Sequence, residues 1–198
     1  MYLTLLLLAI FLCCIGFTIQ NGLWGNAILL INVVTGALIA VNFFEPLADY
    51  LQSLEKTYTY LFDFLAMWLV FAVATGILRA FTDKLSTVKV KFRKPFDQIG
   101  GIVLGAWVGW VMVCFTLMSL HTAPLARKFM QEAFQPEPES RMFFGLAPDR
   151  QWLGFSQKMS QGAFSRGETF DEFGEYILKY GERRARFENE PQARVQAN

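Results

Sequence analysis

Four long apolar runs dominate the 198-residue chain, and clusters of polar residues separate them. The runs cover residues 2–19, 23–44, 57–78 and 99–120. Each has the roughly 17–25 residues that a helix needs to cross the hydrocarbon layer of a bilayer. The pattern therefore predicts an all-α membrane protein with four transmembrane helices. The first two runs are joined by Gln20-Asn21-Gly22, and Asn-Gly favours a tight reversal because both residues tolerate positive φ. An antiparallel hairpin is expected, with Trp24 at a membrane interface. The second run is expected to end at Glu45-Pro46, because proline lacks the N–H that continues a helix and biases the residue before it away from the α region. Beyond it, residues 46–56 predict a short interfacial helix with Leu47, Leu51 and Leu54 on one face. The first run lacks a basic leader and a small-x-small cleavage site, so it reads as a retained helix and not as a signal peptide.

Small residues recur within the runs. Gly101, Gly105 and Gly109 lie four apart in a stretch free of charged side chains from Gln98 to Ala126. In a soluble helix each interior glycine would cost about 1 kcal/mol against alanine. In a membrane helix the same spacing makes a groove that another backbone can enter. At helical periodicity the three glycines span roughly 80° of the helix, while Trp107 and Trp110 fall nearly opposite. Helix four thus has a thin face and a thick one. Its expected partners are the Ala72/Gly76/Ala80 stripe of helix three or the Gly36/Ala40 pair of helix two. A second copy of the protein is the rival partner. The tryptophans would fill space against lipid, another helix or that second copy.

Charge changes the picture in three places. Residues 1–44 carry none, and the first ionisable acid is Glu45. Asp63 stands alone in the third run. It is expected either to reach interfacial water or to serve as a polar site within the membrane, in the bundle or on a transport path. Residues 79–98 hold six basic side chains, Arg79, Lys84, Lys89, Lys91, Arg93 and Lys94. The positive-inside rule therefore places this loop in the cytoplasm and both termini outside. Alternation over residues 88–93 suggests a strand or an extended segment in the headgroup layer.

The tail has a different character. Residues 121–198 carry 11 Lys/Arg and 11 Asp/Glu, and prolines at 124, 136 and 138 interrupt any long helix. Asp149 is a candidate cap for a helix with Trp152, Phe155 and Met159 on one side. Thr169-Phe170-Asp171-Glu172 has capping-box spacing ahead of a stripe formed by Phe170, Phe173, Ile177 and Tyr180. The expected organisation is a membrane domain over residues 1–122, an amphipathic, mostly helical extension over 123–188 and a disordered end over 189–198.

Composition narrows the chemistry. The chain is 54% hydrophobic and only 18% charged, with mean hydropathy +0.31 and net charge +1. That balance gives no electrostatic case for a nucleic-acid partner. Cys13, Cys14 and Cys114 sit in apolar runs without metal or CxxC spacing and read as packing residues. His121 is the single histidine and has no catalytic context. No nucleotide-binding glycine loop, nucleophile elbow or metal motif occurs. No enzyme is therefore expected, and no catalytic, cofactor-binding or metal-ligating residues are nominated. The lipid bilayer is the evident partner.

Three stretches carry a family resemblance. They are Gly16-Phe17-Thr18-Ile19-Gln20-Asn21-Gly22-Leu23-Trp24, the run Asn32 to Ala48 with Gly36, Ala40 and Pro46-Leu47-Ala48, and Phe96-Asp97-Gln98-Ile99-Gly100-Gly101 with Gly105 and Gly109. Over about residues 1–120 the chain resembles the colicin V production protein (CvpA) family. The resemblance implies a multi-pass protein of the bacterial inner membrane, linked to toxin production or export and to envelope integrity. It implies an accessory or scaffold role with a homo-oligomer or other envelope membrane proteins as partners, and it supplies no catalytic residue. The uncharged first helix departs from the family's usual pattern. Asp63, Asn26, Asn32 and Asn42 motivate the alternative of a small transporter or channel component.

Overall fold

The computed structural model describes residues 2–54, 59–86, 90, 92–125, 141–162, 164 and 169–189. Six helices account for most of them: α1 (Tyr2–Thr18), α2 (Gly22–Leu54), α3 (Thr59–Leu85), α4 (Phe96–Leu120), α5 (Pro148–Ser160) and α6 (Tyr176–Asn189). No strand occurs among the described residues. Three of the helices, α2, α3 and α4, are long and apolar enough to cross a membrane, and α1 is a shorter apolar helix of 17 residues. The alternation over 88–93 and the end over 190–198 fall largely outside the described residues.

α2 is central. It packs along both α3 and α4, and α1 packs on α4. The reversal at Gln20-Asn21-Gly22 places the α1–α2 turn beside the start of α4 and the end of α3. Gly22 takes φ +68°, a left-handed conformation that glycine adopts without strain. The opposite end of the bundle gathers the C-terminal part of α2, the start of α3 and the end of α4. There Phe71 and Phe115 lie 4.7 Å apart, Trp68 meets Phe115 edge-on at 5.3 Å, and Trp152 of α5 meets Phe115 at 6.4 Å. Trp152, Leu153, Tyr176 and Tyr180 belong to the same buried core as Val41, Phe44 and Met67, so the extension and the bundle share one hydrophobic interior. A smaller cluster of Leu3, Leu7, Val113 and Leu117 fastens α1 to α4.

Three sequence expectations are corrected here. α2 does not stop before Pro46, but continues through it to Leu54. Phe44 and Ala48, on either side of the proline, are both buried in the core. Packing on both sides outweighs the lost backbone hydrogen bond, as membrane helices allow where neighbours accommodate the break. Asp149 does not cap α5. Ala147 holds that position, while Asp149 lies buried in the first turn and Phe155 stays partly exposed. The Thr169–Glu172 motif does not start α6, which begins at Tyr176. Residues 170–173 form a turn, and the Asp171 carboxylate accepts the Tyr176 N–H at 2.9 Å.

Candidate functional site

Two layers of polar groups stand inside the bundle, one at each end. At the α1–α2 turn, Asn26 of α2 is fully buried. Its Nδ2 donates to the Gly101 carbonyl at 2.7 Å and to the Thr18 carbonyl at 3.0 Å. A donor shared between two other helices requires backbones in close approach, and the glycines of α4 provide it. A Cβ added at Gly101 would sit 3.1 Å from the Gly22 carbonyl carbon. One at Gly105 would crowd the Thr18 hydroxyl, and one at Gly109 would sit 3.1 Å from the Phe11 carbonyl oxygen. The thin face of α4 therefore receives α1 and the first turn of α2.

That is a different partner from the one expected. Ala72, Gly76 and Ala80 are exposed, and a Cβ at Gly76 meets nothing within 4 Å. They lie roughly 100–180° around α3 from Phe71, which marks the face that α3 buries. Gly36 and the fully buried Ala40 do lie in the core, but Gly36 opposes Thr75 of α3, where an added Cβ would be 3.3 Å from the backbone nitrogen. On the thick face, Trp107 is exposed, whereas the Trp110 Nε1 donates to Gln151 Oε1 of α5 at 3.3 Å.

The same end carries a polar pocket of about 390 Å³. Its walls come from the α1–α2 turn, the first turns of α2, the last turns of α3 and the start of α4. Trp24 Nε1 donates to Ser86 Oγ at 3.0 Å, and Asn32 Nδ2 donates to Thr82 Oγ1 at 2.8 Å, tying α2 to α3. Asp97 lines it as well, and its Oδ1 accepts the Leu23 N–H at 3.2 Å. A carboxylate at that N-terminus satisfies a free donor and meets the positive end of the helix dipole. Arg79 and Asp83 stand at the mouth 3.8 Å apart.

The second layer lies where the extension meets the bundle. Asp63 is 6% exposed. It accepts from Gln52 Nε2 at 3.1 Å and forms an ion pair with Arg183 of α6. Tyr180 is buried beside it. Burial pushes the Tyr180 phenol well above its usual value, and the charges of Asp63 and Glu45 add to the effect. One helix away, His121 is fully buried with its Nε2 3.1 Å from Asp149 Oδ2. Burial holds its imidazole below the ordinary 6.5, with Asp149 pulling in the opposite direction. Arg184 Nη1 donates to the His121 carbonyl at 2.7 Å, placing a cation at the C-terminus of α4.

Sequence reasoning singled out Asp63 but not Arg183, Arg184 or the His121–Asp149 pair. One available signal was the four-residue spacing from Tyr176 to Tyr180 to Arg184, which continues the buried stripe of α6 into a cation. Asn42 is also buried, and its Nδ2 donates to the Leu38 carbonyl at 2.8 Å. No group of three or more potential metal ligands occurs among the described residues.

The family model described as Colicin V production protein covers residues 3–138, which takes in all four helices of the bundle and part of the extension. No curated protein and no solved structure matches the chain.

Proposed function

The chain belongs to the colicin V production protein family, and on that premise we propose that it is an integral membrane scaffold that assembles with envelope partners. In this reading α1 to α4 all cross the bacterial inner membrane, with the basic 79–98 segment cytoplasmic and both termini outside. Its role is accessory, serving toxin production or export and envelope integrity, without catalysis.

One observation carries the choice of scaffold over transporter. The asparagines and the acid of the apolar helices are hydrogen-bonded within the protein, Asn26 with Gly101 and Thr18, Asn32 with Thr82, Asn42 with the Leu38 carbonyl of its own helix, and Asp63 with Gln52 and Arg183, while the buried Thr75 and Thr116 hydroxyls have no hydrogen-bond partner among the described residues. Groups that line a solute path must exchange partners with the solute, and Asn26, Asn32 and Asp63 are occupied in joining one helix to another. The exposed faces of α3 are apolar, with Leu69, Val73 and Ile77 turned outward beside Ala72, Gly76 and Ala80. They offer a surface for a second copy or another membrane protein.

The test uses the full chain with its three cysteines replaced by alanine and one cysteine installed at Val73 or Ile77. Oxidative cross-linking in intact membranes is expected to capture a dimer or a discrete hetero-complex. Proteoliposomes are expected to show no solute flux. Flux that Asp63→Asn abolishes, with no cross-linked species at either position, would replace the scaffold with a transporter.

A further inference from the structure

The pocket between the α1–α2 turn and the end of α3 has the position and charge pattern of a lipid headgroup site. Two membrane-capable helices terminate around it: α2 begins at Gly22, and the apolar span of α3 ends at Leu85. Its depth is therefore the layer where hydrocarbon gives way to headgroups, and Trp24 on its wall is a residue type that favours that layer. Hydrogen bonds from Trp24 to Ser86 and from Asn32 to Thr82 hold the walls in place, so the cavity is preformed.

Among the described residues, the lining bears one guanidinium, Arg79, and two carboxylates, Asp83 and Asp97. The Arg79–Asp83 contact is long at 3.8 Å, and both side chains are more than half exposed. Such a pair is held weakly and can open to admit a zwitterion between its members. Arg93 and Lys94 are exposed nearby in sequence but are not among the residues lining the pocket. An anionic headgroup would satisfy Arg79 and leave two carboxylates facing it. A choline headgroup has the right charges but no N–H to donate. A primary ammonium joined to a phosphate satisfies all three side chains.

We propose that this pocket binds the phosphoethanolamine headgroup of a bilayer lipid, with the phosphate on Arg79 and the ammonium between Asp83 and Asp97. The site couples α2, α3 and α4 to membrane composition at the basic end of the bundle. The inference rests on the helices spanning the bilayer, which resistance to carbonate extraction tests separately.

The decisive experiment is native mass spectrometry of the full-length protein in detergent, with equimolar phosphatidylethanolamine, phosphatidylcholine and phosphatidylglycerol of identical acyl chains. Retention of the ethanolamine lipid is expected to exceed the other two by about five- to tenfold. Asp83→Asn and Arg79→Gln, both at exposed positions, are expected to bring the three lipids to parity. Glu172→Gln, at the opposite end of the molecule, is expected to leave the preference intact. Equal retention of all three lipids by the unaltered protein, or a preference that survives Asp83→Asn, would overturn the assignment. Displacement of the lipid by equimolar soluble glycerophosphoethanolamine would assign the pocket to a soluble solute instead.

Discussion

Alanine at Gly101 and alanine at Gly76 form a matched pair of perturbations. Both residues lie inside long apolar helices, so both substitutions gain about the same helix propensity, up to about 1 kcal/mol. Their surroundings differ. At Gly76 the new methyl meets nothing within 4 Å. At Gly101 it meets three backbone atoms, the Gly22 carbonyl carbon at 3.1 Å, the Gly22 Cα at 3.2 Å and the Leu23 nitrogen at 3.4 Å. Backbone cannot swing aside as a side-chain tip can. The α1–α2 turn must recoil, and the Asn26 bond to the Gly101 carbonyl must lengthen with it. Overpacking of this kind costs about 1–3 kcal/mol. For a chain of this size each kcal/mol moves the melting temperature by about 2–4 °C. Gly101→Ala should therefore melt about 2–12 °C below Gly76→Ala, and Gly76→Ala at or slightly above the parent protein. Tryptophan fluorescence during heating in detergent reads the transition. Equal shifts for the two variants would refute the assignment of the glycine face to α1 and α2.

Acidification should loosen the extension. His121 has a lowered pKa in the fold, so its neutral form is stabilising above about 6.5, and that stability is lost as pH falls from there toward the folded value. Amide protection of α5 should be flat between pH 8 and 7 and decline below 6.5, and His121→Gln should remove the decline. An acid loss of the same size in that variant would place the effect elsewhere. Breaking the Asp63–Arg183 pair should cost about 3 kcal/mol, the low end for a buried pair, because Arg183 keeps 26% of its side chain exposed. Arg183→Gln and Asp63→Asn should each speed tryptic release of α6, and the double variant should lose less than the sum of the two.

The membrane class, the presence of four apolar helices and the α1–α2 reversal were legible because hydropathy and turn chemistry are local properties, although among the described residues only three of those helices have the length to span. The angular position of Gly101, Gly105 and Gly109 was legible for the same reason. Their partner was not, because the choice between α1, α2 and α3 depends on where short connections allow helices to lie. Asn-Gly at 21–22 held the clue, since a hairpin this tight leaves its own turn beside whichever helix packs on it. Pro46 misled because local backbone chemistry argues for a break, whereas the burial of Phe44 and Ala48 is a tertiary property. Asp63 was visible as an anomaly, but Arg183 lies 120 residues away. No periodic pattern connects residues so far apart.

That separation sets an order of events during synthesis. At about 5–20 residues per second, the 120 residues between Asp63 and Arg183 take about 6–24 s to make. Within that interval α3 and α4 are completed, while Asp63 waits in the bundle without its cation. His121 likewise lacks Asp149, and the far end of the core lacks Trp152 and Tyr176. The final helices thus act as a completion seal, and a chain that stops short of α6 leaves the Asp63 carboxylate without its ion-pair partner and the core without Tyr176 and Tyr180.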